Sequence, residues 1–588
     1  MLADDPARSM ALFARGEPRE SSRMEPHRTP RLTESPPEPS RTDRPRLRRL
    51  VVEPDVGSSA ERAWMRRLVG AFIVLGLLVR LIRYAQELPF WSDECFLAAN
   101  FIGRGYLDLM RPLDNGQICP LLFLWIERTA VAWLGFSEWS LRLFPLLCGL
   151  ASVGLFAAVA RRFAGGAALA AAVGIFAVSV HPIRHAAEAK PYASDLLAAL
   201  LLLAPAAAWL ERRDRSRPLW VLLMLLPPAL AVSNPSVFEA GGLMLALARP
   251  VWRSGRWADR TAFACCGAML AGLFLGFHVG FGGIQGAAAM DGLSRYWAPG
   301  FPPLGSPSEL PGWLLAAATG SVFAYPGGGA KGASVATTLA CLVGLATLWA
   351  RGRRAMALAL AAPLGLNLVA AALGRYPFGP EARLAQYASP AICLLAGIGF
   401  AALLAAVPRP GLRTAMARAG VVGLIACAVA PQVVSWRTPY RMPHDRESRE
   451  FARRFWPEVG RDAVAACAHL DFGLDRPGAW QGRRAWYLCN QAAHAPHRRG
   501  GGPRLEEVSE SRPLRCVVFD EDPEGPDVAG WLARMRSDYR LRSVRSVPAR
   551  STFGNAARPL IETYRIYEFT PLPPRAGSPA PASGELAG

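Results

Sequence analysis

Adjacent carboxylates lie directly after an apolar run, in Phe90-Trp91-Ser92-Asp93-Glu94. A carboxylate at that place can take a proton from an attacking hydroxyl, and partial burial beside an apolar wall would raise its pKa and make it a better base. The same pair also suits the start of a solvated loop. A second group is His181-Pro-Ile-Arg184-His185-Ala-Ala-Glu188-Ala-Lys190-Pro-Tyr192-Ala-Ser-Asp195, held between two apolar runs. Charged residues beside a membrane tend to mark substrate pathways, and Lys190 and Arg184 suit a phosphate. The competing reading is an interfacial anchor, with Tyr192 in an aromatic belt and Lys190 snorkelling. His181 and His185 are four residues apart, but Pro182 intervenes and no third ligand accompanies them, which argues against a metal pair. The third group is Gly374-Arg375-Tyr376-Pro-Phe-Gly-Pro380-Glu381-Ala-Arg383-Leu-Ala-Gln386-Tyr387-Ala-Ser-Pro390, in which Arg383 and Tyr387 share one helical face. Asp114, Gln117, Arg142 and Asn234 are weaker polar candidates, Arg142 being equally suited to snorkelling at a helix start.

The elements that must position these residues are apolar. Of 588 residues 52% are hydrophobic, and runs near spanning length recur from Leu68 to Trp436. They cover 68–86, 117–135, 141–160, 166–182, 192–210, 219–233, 236–249, 260–281, 313–325, 334–350, 355–373, 388–407 and 417–436. The basic connectors are Arg161-Arg162, 211–217, 249–260, 351–354 and 409–418, and Arg62, Arg66 and Arg67 precede the first run. All of them fall on one side, the cytoplasmic one, only if 117–135 and 313–325 do not cross. The second of these is short and the first carries Glu127 and Arg128 in mid-run, so both are expected as helices at the outer surface. About eleven crossings follow, with the N-terminus inside and the C-terminus outside. The loop from Glu87 to about Ser140, the segment 181–195, a loop at 282–333, the loop 374–390 and everything after Trp436 then share the outer face. Three of these regions hold the three groups above, although only charge was used to orient the chain.

The first sixty residues are polar and Pro/Arg-rich, with no apolar core before a small-residue cleavage site, so no signal peptide is expected and the first run is a retained span. Residues 1–62 are expected to be a disordered cytoplasmic tail, 63–437 a membrane domain, 438–571 a small extracytoplasmic α/β domain and 572–588 a disordered tail. In the third of these the sequence suggests helices at Glu447–Trp456 and Val528–Tyr539, and strands at Val464–Ala468, Leu514–Phe519 and Tyr564–Phe569. The net charge of +20 lies mostly in short connectors between apolar runs, which excludes nucleic acid as its reason. Only Lys190 and Lys331 among the 66 basic residues are lysine, which singles out Lys190 as a place where a compact ammonium is needed. The cysteines show no CxxC pair or zinc-type spacing. Cys95 and Cys119 share the first outer loop, and Cys467, Cys489 and Cys516 the terminal domain; pairings are left open.

With these residues the chain resembles the GT-C superfamily of membrane glycosyltransferases, on the branch of protein O-mannosyltransferases and bacterial aminoarabinose transferases. The resemblance is carried by Asp93-Glu94 after the first span, by PLLFLW…LGFSEWSLRLFPLLCGL from Pro120 to Leu150, by HPIRHAAEAKPYASD and by PEARLAQYASP, in that order over about residues 65–440. It implies a sugar donor linked to a polyprenyl phosphate, an acceptor that is a glycan, lipid or protein, and one inverting displacement. It further implies Asp93 as general base, with Glu94 supporting it or positioning substrate. Lys190, Arg184 and Arg383 would bind the leaving phosphate. His185, Glu188, Tyr192, Asp195, Tyr387, Asp114 and Gln117 would line the pocket. Some relatives use a divalent metal, Mg or Mn, and its need here is left open; no other cofactor is implied. Relatives often carry a His before the Pro-Leu of the first loop, where this chain has Ile118-Cys119-Pro120-Leu121. A transporter or flippase of a lipid-linked saccharide is the rival from another class, and an inactive assembly protein of the same fold a third. Transporters place polar groups near the midplane and show paired halves, neither of which this sequence has.

Cysteines introduced at Ser92 and at Ser216 should label with a membrane-impermeant thiol reagent from opposite faces of sealed vesicles. Labelling of both from one face would break the parity assignment.

Overall fold

The computed structural model describes residues 59–286, 296–327, 334–437, 443–468, 504–518, 525–550 and 561–573. Residues 1–58 of the expected N-terminal tail, 287–295 and 328–333 of the expected loop 282–333, Cys489, Lys331 and the tail from 574 lie outside the described residues.

The chain is a polytopic helical membrane protein with a small α/β sheet domain at its C-terminal end. Helix α1 (Ser59–Ala85) leads into the first loop, where the short α2 (Ser92–Ala98) and then α3 (Leu121–Leu134) form. The long α4 (Glu138–Phe163) follows, started by Ser137, whose side chain accepts from the Ser140 N–H. Next come α5 (Gly166–Val178), the single-turn α6 (Val180–His185), α7 (Tyr192–Glu211), α8 (Arg217–Val232), α9 (Ser236–Arg253) and α10 (Trp257–Leu273), which continues as π-helix from Phe274 to Phe281. After α11 (Leu310–Ala317), α12 (Val335–Ala350), α13 (Arg354–Ala372), α14 (Ser389–Ala405) and α15 (Pro410–Arg437) complete the bundle. Seven described helices are long and apolar enough to cross a membrane, and α5, α8 and α12 are shorter apolar helices. The runs at 117–135 and 313–325 give the 14-residue α3 and the 8-residue α11 with its π-turn, neither among those candidates.

The basic connectors meet at one end of the bundle. Arg162 pairs with Glu211 at 2.5 Å, Arg353 donates to the Phe163 carbonyl at 2.6 Å, and Arg256 donates to the Arg213 carbonyl at 3.0 Å. At the other end the run 166–182 does not continue as one helix. Ser179 has extended backbone and closes α5, and Arg80, buried in α1, donates to the buried Ala177 carbonyl at the helix end at 3.0 Å. That break turns residues 180–191 aside, and these carry the charged segment.

Small residues let the spans approach to backbone contact. A Cβ on Gly399 would stand 1.8 Å from the Ala340 carbonyl oxygen, and one on Gly344 2.0 Å from that of Leu395. Helices α12 and α14 therefore cross with nothing between them, as close packing without a strong hydrophobic drive requires.

In the soluble domain α16 (Pro443–Asp462) precedes β1 (Val464–Cys467), then β2 (Leu514–Val518), α17 (Pro526–Asp538), β3 (Tyr539–Arg550) and β4 (Ile561–Pro571). The sheet order is β1-β2-β4-β3, parallel between β1 and β2 and antiparallel elsewhere. Alternation sorts its two faces. Ala465, Val517, Tyr564 and Ile566 meet Phe455, Trp456 and Val459 of α16, whereas Val464, Cys516, Tyr567 and Phe569 meet Trp531 and Met535 of α17. The three strands and two helices expected here are present; β3 was not expected from the sequence. It is an edge strand bearing Arg540, Arg542, Arg545 and Pro548, a composition that protects an edge and hides the apolar signal of a strand.

Gly399→Val should unfold the α12–α14 crossing and lower the midpoint of thermal unfolding in detergent, since overpacking of this kind costs about 1–3 kcal/mol or more. Gly420→Ala, with open space around it, should be neutral or slightly stabilising. Equal midpoints for both variants would refute the close crossing.

Candidate active site

The first loop is folded around Glu94. It occupies the third position of α2 and reaches back to accept from the Trp91 N–H at 3.2 Å, as an acidic residue there commonly does. It is 1% exposed, and burial of a carboxylate demands full pairing. Arg142 of α4 supplies it: Nε donates to Oε1 at 2.8 Å and an Nη to Oε2 at 2.6 Å. The same guanidinium donates to the Leu88 carbonyl, and to that of Pro89 at 3.2 Å, and stands 5.0 Å from the Phe90 ring centre. Glu94 Oε1 also accepts the Ala189 N–H at 2.7 Å, which ties the first loop to the second.

One residue to either side of that hydrogen bond stand Asp93 and Lys190. The Asp93 side chain is 24% exposed; Oδ2 pairs with Arg383, and no described residue bonds Oδ1. Lys190 is 6% exposed and donates to Gln117 Oε1 at 2.6 Å. Among the described residues no carboxylate forms an ion pair with it.

The other two cations are already compensated. Arg184 donates to Glu188 Oε1 at 2.6 Å, while Glu188 Oε2 lies 2.7 Å from His185 Nδ1. Burial alone would raise the Glu188 carboxyl, but Arg184 and His185 hold it well below the usual carboxylate range; burial pushes the His185 imidazole down. Arg383 pairs with Asp93 and, at 2.6 Å, with Glu381, and lies between the rings of Trp91 and Trp297, 5.3 and 5.2 Å from their centres. Tyr296 donates to Glu381 at 3.2 Å and completes this group.

The remaining candidates divide. Tyr192 packs edge-on against His185 with centres 4.9 Å apart, beside the hub. Asp195 is buried one turn further into α7, and its Oδ1 has no hydrogen-bond partner among the described residues. Tyr387 is fully buried in the bundle core and donates to Asn367 at 3.0 Å, which sets it apart from the Asp93 surroundings. Asp114 is exposed and pairs with Arg104 at 2.5 Å. Cys95 and Cys119 are buried free thiols. Among the described residues no group of three or more His, Cys, Asp or Glu is arranged to hold a metal ion. Asp93, Glu94 and Glu381 are each paired with an arginine.

Sequence reasoning undervalued Arg142, and it passed over Glu381, Trp91, Tyr296 and Trp297 as site residues. A signal existed for Arg142, a guanidinium four residues into a helix that follows a loop with an acidic pair. For Trp297 nothing in the local pattern pointed to a cation.

No family model matches the chain, and no curated protein matches it. Solved structures with a similar course of the chain include ArnT from Cupriavidus metallidurans bound to undecaprenyl phosphate, 14% identical, with a TM-score of 0.45 over 85% of this chain and 97% of that one. The oligosaccharyltransferase of Archaeoglobus fulgidus in the apo form is 11% identical, with a TM-score of 0.45 over 86% of this chain and 76% of that one. The archaeal oligosaccharyltransferase AglB from the same organism, with an inhibitory peptide and a dolichol-phosphate, gives 11% and 0.42 over 74% and 65%. Both kinds of protein are GT-C glycosyltransferases. At this identity and TM-score the likeness gives no residue of this chain a role.

Arg142→Met should leave Glu94 buried without its counter-charge and destabilise the membrane domain by about 3–5 kcal/mol. Asp93→Asn, at a partly exposed carboxylate, should change the unfolding midpoint little. A midpoint that falls as far for Asp93→Asn as for Arg142→Met would overturn the distinction drawn between the two neighbouring carboxylates.

Proposed function

We propose that the protein is a membrane glycosyltransferase that moves a sugar from a polyprenyl-phosphate donor to an acceptor hydroxyl on the extracytoplasmic face. The observation that carries this reading is the Lys190 ammonium, buried against a neutral amide and fastened, through Ala189 and Glu94, beside a carboxylate with an unbonded oxygen. A buried cation without a counter-charge is costly, and an anionic ligand relieves the cost. A phosphate ester at Lys190 with an acceptor hydroxyl at Asp93 uses both groups.

In the proposed step Asp93 takes the acceptor's proton as the acceptor oxygen attacks the anomeric carbon from the face opposite the phosphate. The bond from that carbon to the phosphate oxygen breaks, and polyprenyl phosphate leaves with the electron pair, so configuration inverts. Lys190 stabilises the charge that grows on the leaving phosphate, where a preorganised donor is worth most. Arg383 and Glu94 act here as positioning residues: Arg383 pairs with Asp93 and aims it, and Glu94 fixes the loop. Arg184, spent on Glu188, orders the second loop. The carry-over of Glu94 as a catalytic residue and of Arg184 and Arg383 as phosphate ligands is revised to that extent in this reading.

The charge pattern supports about eleven crossings of the inner membrane with a cytoplasmic N-terminus, and in this reading the site and the soluble domain lie outside. There a lipid-linked sugar rather than a nucleotide sugar is the accessible donor.

The test is transfer of radiolabelled sugar from a panel of polyprenyl-phosphate sugars into an envelope extract by purified protein. Asp93→Asn should lower transfer by a factor of about 100 or more, the range found for loss of a general base, while donor still binds. Lys190→Ala should weaken donor binding, and Lys190→Arg should restore it incompletely because a guanidinium does not replace a compact ammonium. Wild-type turnover by Asp93→Asn would remove it as base, and wild-type donor binding by Lys190→Ala would return that residue to an anchor.

A further inference from the structure

Helix α16 of the soluble domain carries two arginines, Arg449 and Arg453, four residues apart and so on one face. Arg449 donates to the Glu87 carbonyl at 2.5 Å and lies 3.7 Å from Glu138 Oε1. Arg453 donates to Glu87 Oε1 at 2.7 Å and lies 3.9 Å from Glu138 Oε2. Glu138 is 3% exposed and Arg449 12%, whereas Arg453 and Glu87 are 38% and 32%, so the Arg449–Glu138 contact is the buried one.

The two acidic residues stand at the two ends of the frame that holds Asp93. Glu87 opens the first loop, just after α1, and is the single non-glycine residue with positive φ (44°) among the described residues. That backbone is costly and persists where its surroundings enforce it. Its carbonyl, the acceptor of Arg449, is the last before the Leu88 and Pro89 carbonyls that Arg142 holds. Glu138 lies in the first turn of α4, one turn before Arg142 itself. The adjoining face of α16 is packed by Phe455, Trp456 and Val459 onto the sheet.

From this geometry we infer that α16 is a positioning element for the site, with Arg449 and Arg453 coupling the soluble domain to the loop that carries Asp93. The helix packs on the sheet along one face and contacts both ends of the Asp93 frame along the adjoining one. Whatever the sheet domain binds or whichever way it shifts, the displacement reaches Glu87 and Glu138 before any other part of the membrane domain that α16 touches through these arginines. Its effect on turnover rests on Asp93 being the base; its effect on loop order does not.

The test uses the full-length protein in detergent or nanodiscs, with the variant Arg449→Ala/Arg453→Ala. Amide hydrogen exchange over residues 87–95 should become about fivefold to tenfold faster, as expected for loss of coupling contacts. Exchange within the sheet and in α12–α14 should stay unchanged. The lysine variant Arg449→Lys/Arg453→Lys should restore much of the protection, and Arg454→Ala, on an exposed position of the same helix, should have none of the effect. In the transfer assay kcat should fall by a similar factor with KM for the donor unaltered. Unchanged exchange over 87–95 in the double alanine variant overturns the inference. So does wild-type kcat in that variant when Asp93→Asn is inactive. If Asp93→Asn stays active, the base assignment fails, and the exchange measurement decides the coupling alone.

Discussion

A carboxylate with almost no access to water needs the protein to replace its hydration completely. Glu94 is such a group. Two nitrogens of Arg142 and the amides of Trp91 and Ala189 together satisfy both of its oxygens. The cost of burying these charges is recovered only in this geometry, so the pair tolerates no partial arrangement. Everything else at this end of the bundle is referred to it: the path of residues 88–91, the start of α2, the entry of α4 and the position of the second loop. The pair earns specificity rather than net stability.

Around this fixed point the remaining charges are distributed unequally. Arginine is spent on carboxylates: Arg142 on Glu94, Arg184 on Glu188, Arg383 on Asp93 and Glu381. The planar fork suits such pairing, and stacking between Trp91 and Trp297 suits Arg383 further. Lysine stands apart with a neutral partner. In a chain that uses arginine almost everywhere, the buried cation without a carboxylate here is one of two lysines. Local charge balance therefore sets Lys190 apart from the arginines paired around it.

Much of the architecture was legible because it depends on period and length. Apolar runs became helices, and short, mostly apolar stretches such as Leu514–Val518 became strands with both faces covered. The edge strand Tyr539–Arg550 escaped because an exposed edge selects for arginine and against an apolar pattern. Part of the site was legible for a different reason. Six ionisable residues between two apolar runs, as at 181–195, are too expensive to be accidental. Residue type marked Asp93, Lys190, Tyr387 and Asp114 alike, and only the fold shows that Tyr387 is buried on Asn367 and that Asp114 pairs with Arg104 at the surface.

What the linear chain settles is chemistry and periodicity: which segments avoid water, which loops hold charge, and that an acidic pair follows the first span. Partner choice is different. Asp93 and Glu94 are neighbours of nearly equal intrinsic acidity, yet one is wrapped by Arg142 and Ala189 while the other keeps an oxygen unbonded. Arg142 lies 48 residues from Glu94, and Arg383 lies 290 from Asp93. No local pattern encodes separations of that kind. They are set by which helices pack against one another, and hence by the glycines and small side chains that let α12, α14 and α5 come within backbone contact.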